Sequence, residues 1–242
     1  MKKIPFTLLF ASAFLSASTL SAELIVYEGF DYQGGQLRDQ AYGLGWSAGW
    51  TGAHQRVVEG ESLASALGDT PATIGGHMTT PNGDWASERD LESSFASEPG
   101  TYWISILAAN LTNEQMDVYG GVSFAPEEGG GGVEFIKIFS GENWSIKAAG
   151  RTETTSSPAN NQPVFAVLRI VKSADPENDS VAVFVDPDLS AEPITPDAEI
   201  TGVSIPQIEK VSVRTGNGER LFGFDEIRMG TTYDAVTPEA QE

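Results

Sequence analysis

Short runs of β-branched and aromatic residues, each closed by Gly, Pro, Asn or Asp, recur along almost the whole sequence after residue 23. Clear runs fall at 24–27, 101–108, 133–139, 164–171, 181–185, 208–213 and 222–229, with weaker ones at 54–59, 118–124 and 144–148. The three- and four-residue apolar spacing of a helix is nearly absent. About ten strands in one open sheet would curl or split, so the pattern predicts an all-β fold of two packed sheets. In 165–172, Phe165, Val167 and Arg169 face one way and Ala166, Leu168, Ile170 and Lys172 the other. Both faces are mainly apolar, which predicts a strand covered on both sides. In 134–138, Glu134, Ile136 and Ile138 lie opposite Phe135 and Lys137, and 61–67 is open to a helical turn.

Ahead of these runs, Lys2 and Lys3 precede an apolar stretch and a small-residue end, Leu20-Ser21-Ala22. This is the pattern of an export signal, too short to span a bilayer. The expected organisation is a signal peptide at 1–22, one domain at 23–236 and a short tail at 237–242, with the product secreted or periplasmic. Roughly 220 residues suit one large β-sandwich. The chain has no cysteine, so in an oxidising compartment it must rely on its core or on a metal.

The 34 acidic and 14 basic side chains give a formal charge of -20. Such a field repels phosphate backbones and anionic lipid, so nucleic acid and membrane are not expected partners. The same acidity also keeps an exported domain soluble.

Catalytic patterns are few. Gly45-Trp46-Ser47-Ala48-Gly49 matches a serine-hydrolase elbow, but that motif works on a strand-to-helix turn of an α/β fold, and here it lies in a glycine-rich loop. His54 and His77 are far apart in sequence and lack the spacing of a zinc pair. Glu88, Asp90 and Glu92 share one face of a strand, with Arg89 and Leu91 alternating between them, an ordinary surface-strand pattern. The glycines at 129–132 read as a plain loop, since no helix or Lys-Ser/Thr pair follows them. No catalytic residue is assigned.

Aromatic rings are the remaining handle on function, because sugars stack their C–H faces on exposed rings while carboxylates and amides bond their hydroxyls. Tyr42, Trp46 and Trp50 lie in a loop and Trp85 follows a turn, which makes Trp46, Trp50 and Trp85 the candidate ligand-binding residues. For Trp46 and Trp50 the alternative is that they plug the end of the core. Trp103 and Trp144 sit in strand patterns and read as core or sheet-face residues.

Four stretches carry a resemblance: 24–32 (LIVYEGFDY), 43–52 (GLGWSAGWTG), 101–105 (TYWIS) and 224–232 (FDEIRMGTT). The chain resembles, over about residues 24–236, exported bacterial LamG-like jelly-roll proteins of the concanavalin A-like lectin/glucanase superfamily. The resemblance implies a two-sheet jelly-roll β-sandwich whose first and last strands lie side by side. Laminarinase-like relatives hold a structural calcium with an acid ending the first strand, an aspartate in the last and a glycine carbonyl, which by position implies Glu28, Asp225 and Gly60. Those relatives cleave with acids spaced Glu-x-Asp-x-x-Glu, a spacing absent here. The expectation is a non-catalytic module that binds carbohydrate or another extracellular polymer, with calcium as a structural ion. A protein-interaction domain without a glycan site is the first alternative and a divergent glycoside hydrolase the second.

Overall fold

The computed structural model describes residues 23–67, 72–80, 83, 85–112, 118–128, 131–216 and 221–238. The signal expected at 1–22 and the end of the tail, 239–242, lie outside them. In chain order the strands are β1 (Leu24–Glu28), β2 (Gly35–Gln36), β3 (Arg56–Val58), β4 (His77–Thr79), β5 (Trp85–Phe95), β6 (Gly100–Asn110), β7 (Tyr119–Ala125) and β8 (Val133–Lys137). They continue with β9 (Asn143–Ala148), β10 (Arg151–Pro158), β11 (Val164–Lys172), β12 (Asp179–Val185), β13 (Ala198–Val203), β14 (Ile208–Gly216) and β15 (Phe222–Gly230), followed by a one-turn helix, α1 (Tyr233–Val236).

Two antiparallel sheets result, as the strand-like runs predict. One has nine strands in the order β13-β12-β11-β6-β15-β4-β3-β2, with β1 also on β15, and the other six in the order β10-β9-β8-β7-β14-β5. The last strand of the chain is central in the larger sheet. It pairs with β6 along one side, and along the other with β4 at Gly223 and Phe224 and with β1 from Ile227 to Gly230. The first and last strands therefore do lie side by side.

Between the sheets, Ile104, Ile106, Leu168, Ile170 and Phe224 of the larger meet Phe124, Phe135, Ile146, Val211 and Val213 of the smaller. Phe135 also stacks on Trp144, with ring centroids 4.9 Å apart. The outer face of the larger sheet is buried too. Trp103, Leu107, Phe165, Val167 and Phe184 pack there under Leu63, Tyr233 and Val236. The two-sided apolar pattern of β11 thus has its physical reason: even-numbered residues fill the main core and odd-numbered ones lie beneath the covering turns. One of these covers falls within 61–67, a 3-10 turn over Leu63–Ala66 whose Ala64 amide is capped by the Ser62 hydroxyl.

The glycine-tryptophan loop stitches the two sheets together. Its amides and carbonyls exchange bonds with Tyr27 through Leu44 (3.0 Å each way), and with β5 through Ser47 N to Asp90 O, Thr51 N to Glu88 O and Glu92 N to Gly45 O. It so covers the free side of β5, an eleven-residue strand that would otherwise offer its backbone to another chain. Gly43 (φ 105°) and Gly45 (φ 80°) permit this approach, because a Cβ at either would strike the Tyr27 or Ile25 carbonyl. Ser47 is spent on this seam, its hydroxyl on Asp90 O at 3.3 Å. The serine-hydrolase match is an edge cover.

Candidate functional site

Where β1 leaves the larger sheet, the chain turns sharply at Phe30 (φ 49°) and the strands open into a groove of about 910 Å³. Its walls carry Tyr27, Tyr32 and Tyr42 with Gln33, Gln40, Asp31 and Glu59, and the backbone of residues 74–76 closes one side. Tyr42 is 73% exposed at the rim. Its ring lies 6.1 Å from that of Tyr32. Leu44 and Ile74 are exposed close by: Leu44 bridges to Tyr27, and Ile74 lines the groove.

Beneath the groove lies a knot of buried charge. One Glu28 oxygen accepts the Phe30 amide (2.9 Å). The other accepts the Tyr32 hydroxyl (2.7 Å), the Trp50 indole N–H (2.9 Å) and the Arg89 guanidinium. Burial pushes the Glu28 carboxyl above its ordinary range, and these four donors pull against that rise. Burial, and then the neighbouring Glu28 charge, likewise raise the Tyr32 hydroxyl. Arg89 reaches Glu28 from β5, so their bond crosses the sandwich, and both side chains are 1% exposed. Leu91, two residues on, is in the core as well. The surface reading of Arg89 and Leu91 is therefore corrected: the exposed alternation is that of Asp90 and Glu92 alone, with Glu88 half-buried beside Lys210 at 3.5 Å.

A second knot adjoins it on β15. Glu226 occupies a bulge (φ 53°) and accepts the Ile74 amide (2.7 Å) and the Tyr27 hydroxyl (3.2 Å) while pairing with Arg228. Asp225 points the other way, accepting the Ser62 hydroxyl (2.7 Å) and the amides of Leu63 (3.1 Å) and Glu226 (2.8 Å). Burial and then the Glu226 charge push Asp225 well above the usual carboxylate range. Burial is also the main cause of the rise at Glu226, against the pull of Arg228.

The donors around Glu28, Gly60 and Asp225 do not fit the implied calcium. Every Glu28 and Asp225 oxygen already accepts from an N–H or O–H, and a guanidinium supplies the positive charge at Glu28. A calcium ion needs those lone pairs for itself. Gly60 is an exposed turn residue (φ 71°) on the groove wall, whereas Asp225 faces the Ser62 turn. Among the described residues, no group of three or more His, Asp or Glu is disposed to hold a metal ion.

The three tryptophans do not share a surface. Trp50 is 1% exposed, stacked on Phe30 at 6.0 Å, with its N–H on Glu28. It plugs the core and has no ring face for a ligand. Trp46 is half-buried behind the groove wall, its N–H on Tyr27 O (2.9 Å) and its ring 4.6 Å from the Arg89 guanidinium. Trp85 is 38% exposed and stacks on His54 at 3.4 Å. It starts β5, whereas Trp46 bridges to Leu91, and six residues of strand separate them by roughly 20 Å. Trp103 and Trp144 are buried as their strand patterns imply. Tyr27, Tyr32 and Arg89 escape a reading by motif. Arg89 was signalled only by being the one charged residue on the inward side of β5, beside Ser87, Leu91 and Phe95.

Sandwich, sheet order and paired first and last strands define a two-sheet jelly-roll β-sandwich. No protein-family model matches the sequence, and no curated protein does. Among solved structures, the globular domain of T. cruzi calreticulin is similar with a TM-score of 0.54 and 12% identity, over 87% of this chain and 88% of that one. An endo-1,3-beta-glucanase from Streptomyces sioyaensis gives 0.55 and 8%, over 86% and 96%. The binding domain of botulinum neurotoxin serotype G gives 0.52 and 10%, over 88% of this chain and 50% of that one. At such identities the likeness is one of fold.

Proposed function

We propose that this chain is an exported, non-catalytic module that binds glycan in the groove bounded by Tyr27, Tyr32 and Tyr42. The observation that carries the reading is the groove itself: about 910 Å³ in which tyrosine rings alternate with Gln33, Gln40, Asp31 and Glu59. Sugars need this combination of apolar ring faces and hydroxyl-bonding amides and carboxylates. The buried carboxylate at its floor, Glu28, is neutralised by Arg89 and held by four donors, so it supports positioning and not acid–base chemistry. The ring that meets the ligand is Tyr42, with Trp46 behind it as a reporter. LamG-like membership and export through residues 1–22 belong to the same proposal, and Trp85, stacked on His54, lies outside the groove. The proposal assigns no calcium to Glu28, Gly60 and Asp225.

One fold neighbour is by name an endo-1,3-beta-glucanase, which makes β-1,3-glucan oligosaccharides the first ligands to titrate. Calorimetry and tryptophan emission should report binding to the wild type. Tyr42→Ala should weaken it about five- to tenfold, the loss of roughly 1 kcal/mol of ring contact. Unchanged affinity in Tyr42→Ala would remove the groove from the reading. Silence across a broad glycan array would leave the protein-interaction alternative in its place.

A further inference from the structure

Arg89 is surrounded in an unusual way for an arginine in an ion pair. Its Nη1 lies within hydrogen-bond distance of Glu28 Oε2, the Tyr32 hydroxyl (3.1 Å) and the Tyr42 carbonyl (2.7 Å), which share its two hydrogens, while Nε donates to the Ala48 carbonyl (2.8 Å). One carboxylate, one hydroxyl and two backbone carbonyls thus converge on a single positive charge, itself 1% exposed. Three of these oxygens belong to β1 and the turns after it, and the fourth to the loop that covers β5. A hard cation gathers ligands of these kinds. A guanidinium can serve the same oxygens because Nη1 and Nε donate from one edge of a rigid, planar, permanently charged group.

We infer that Arg89 is the built-in cation of this site: it organises an oxygen cage that would otherwise call for a metal ion, and by holding the Tyr42 carbonyl it sets one wall of the groove. The side chain reaches the cage from the opposite sheet, so the wall and the sandwich are locked by one residue. Arg89 is then a positioning residue, and the groove keeps its shape without calcium. Trp46 lies over the guanidinium, with its ring centroid 4.6 Å away.

The test is thermal unfolding of the full chain with a chelator and with millimolar calcium, for wild type, Arg89→Ala and Arg89→Lys. The wild-type midpoint should be indifferent to both additions. Arg89→Ala should melt roughly 10 °C lower, because it leaves the Glu28 carboxylate buried without its counter-charge. Calcium should recover part of that loss, since the four oxygens remain, and calorimetry with calcium alone should detect a site in the variant and none in the wild type. Arg89→Lys should fall between the two, keeping the charge but not the planar edge. It carries the test if Arg89→Ala does not fold. A chelator-sensitive wild type, an Arg89→Ala protein blind to calcium, or an Arg89→Lys protein as stable as wild type would each overturn the inference. These readouts do not depend on glycan. The claim about the Tyr42 wall rests on the groove as the binding site, and weaker glucan binding by Arg89→Lys at a temperature where it is folded tests that part. A wild type that binds no glycan defeats the functional reading while leaving the cage intact.

Discussion

Asp179 and Asp225 are both fully buried, and each accepts three hydrogen bonds, yet their acidities move in opposite directions. Asp179 takes the amides of Ser173 (2.8 Å) and Ile205 (3.0 Å) and the Lys172 ammonium (2.6 Å). Burial would raise it, but those bonds, Lys172 foremost, outweigh burial and hold it below the usual range. Asp225 has comparable bonds and a neighbouring carboxylate, Glu226, where Asp179 has a cation. The weight of burial, heavier at Asp225, and the sign of the neighbouring charge together separate the two, and the hydrogen-bond count does not. Asp179 acts as a clip that fastens β12 to the chain entering β14, while Asp225 and Glu226 carry strain at the bulge in β15.

The largest effect should come from breaking the clip. Lys172→Met leaves Asp179 as an unpaired buried charge and should cost about 3–5 kcal/mol, measured by urea unfolding. A cost under about 1 kcal/mol would mean that the amides alone suffice, and the contrast would collapse. The next effect is on pH dependence. Glu28, Asp225 and Glu226 have folded pKa values above their unfolded ones, so the fold binds their protons more tightly. Their contribution is fully present at acid pH and is lost as pH rises from the ordinary carboxyl range through the raised values. Asp179 runs the other way: its contribution is present above the ordinary aspartate pKa and is lost as pH falls through its lowered one. The melting midpoint should therefore climb as pH is lowered from 8 towards 5, then fall below about pH 4. A midpoint flat from pH 5 to 8 would show that Arg89 and Arg228 compensate the three acids fully. The smallest effect is Asp225→Asn, which should change stability at pH 7 by only about 1 kcal/mol or less and flatten the slope between pH 5 and 8. A slope as steep as in the wild type would assign the whole of it to Glu28 and Glu226.

Most of the fold was legible because it rests on local alternation. The two apolar faces of 164–172 announce a strand buried on both sides, and α1 with the Leu63–Ala66 turn supplies the second cover. The site was less legible because it is made by residues distant in sequence. Glu28 could be seen as an acid ending a strand. That its counter-ion is Arg89, sixty-one positions on and facing it from the other sheet, follows only from how the sheets stack. Without that pairing, a carboxylate at a strand end reads as a metal ligand. Trp46 and Trp50 show the same limit: two loop tryptophans look alike, and the half-turn that sends one into the core depends on glycines meeting the backbone of β1.

The central place of β15 has a further consequence, for the order of assembly. Among the described residues β1 pairs with no strand but β15, and β4 pairs with it as well, so two of the earliest segments wait for a strand far along the chain. Contacts so distant in sequence form slowly, because a long loop must close before they repay its entropy. In a chain that emerges from its N-terminus, β6 can pair with β11, β12 and β13 as they appear, whereas β1 and β4 join the larger sheet only after β15, so the groove beside β1 is among the last features to take shape.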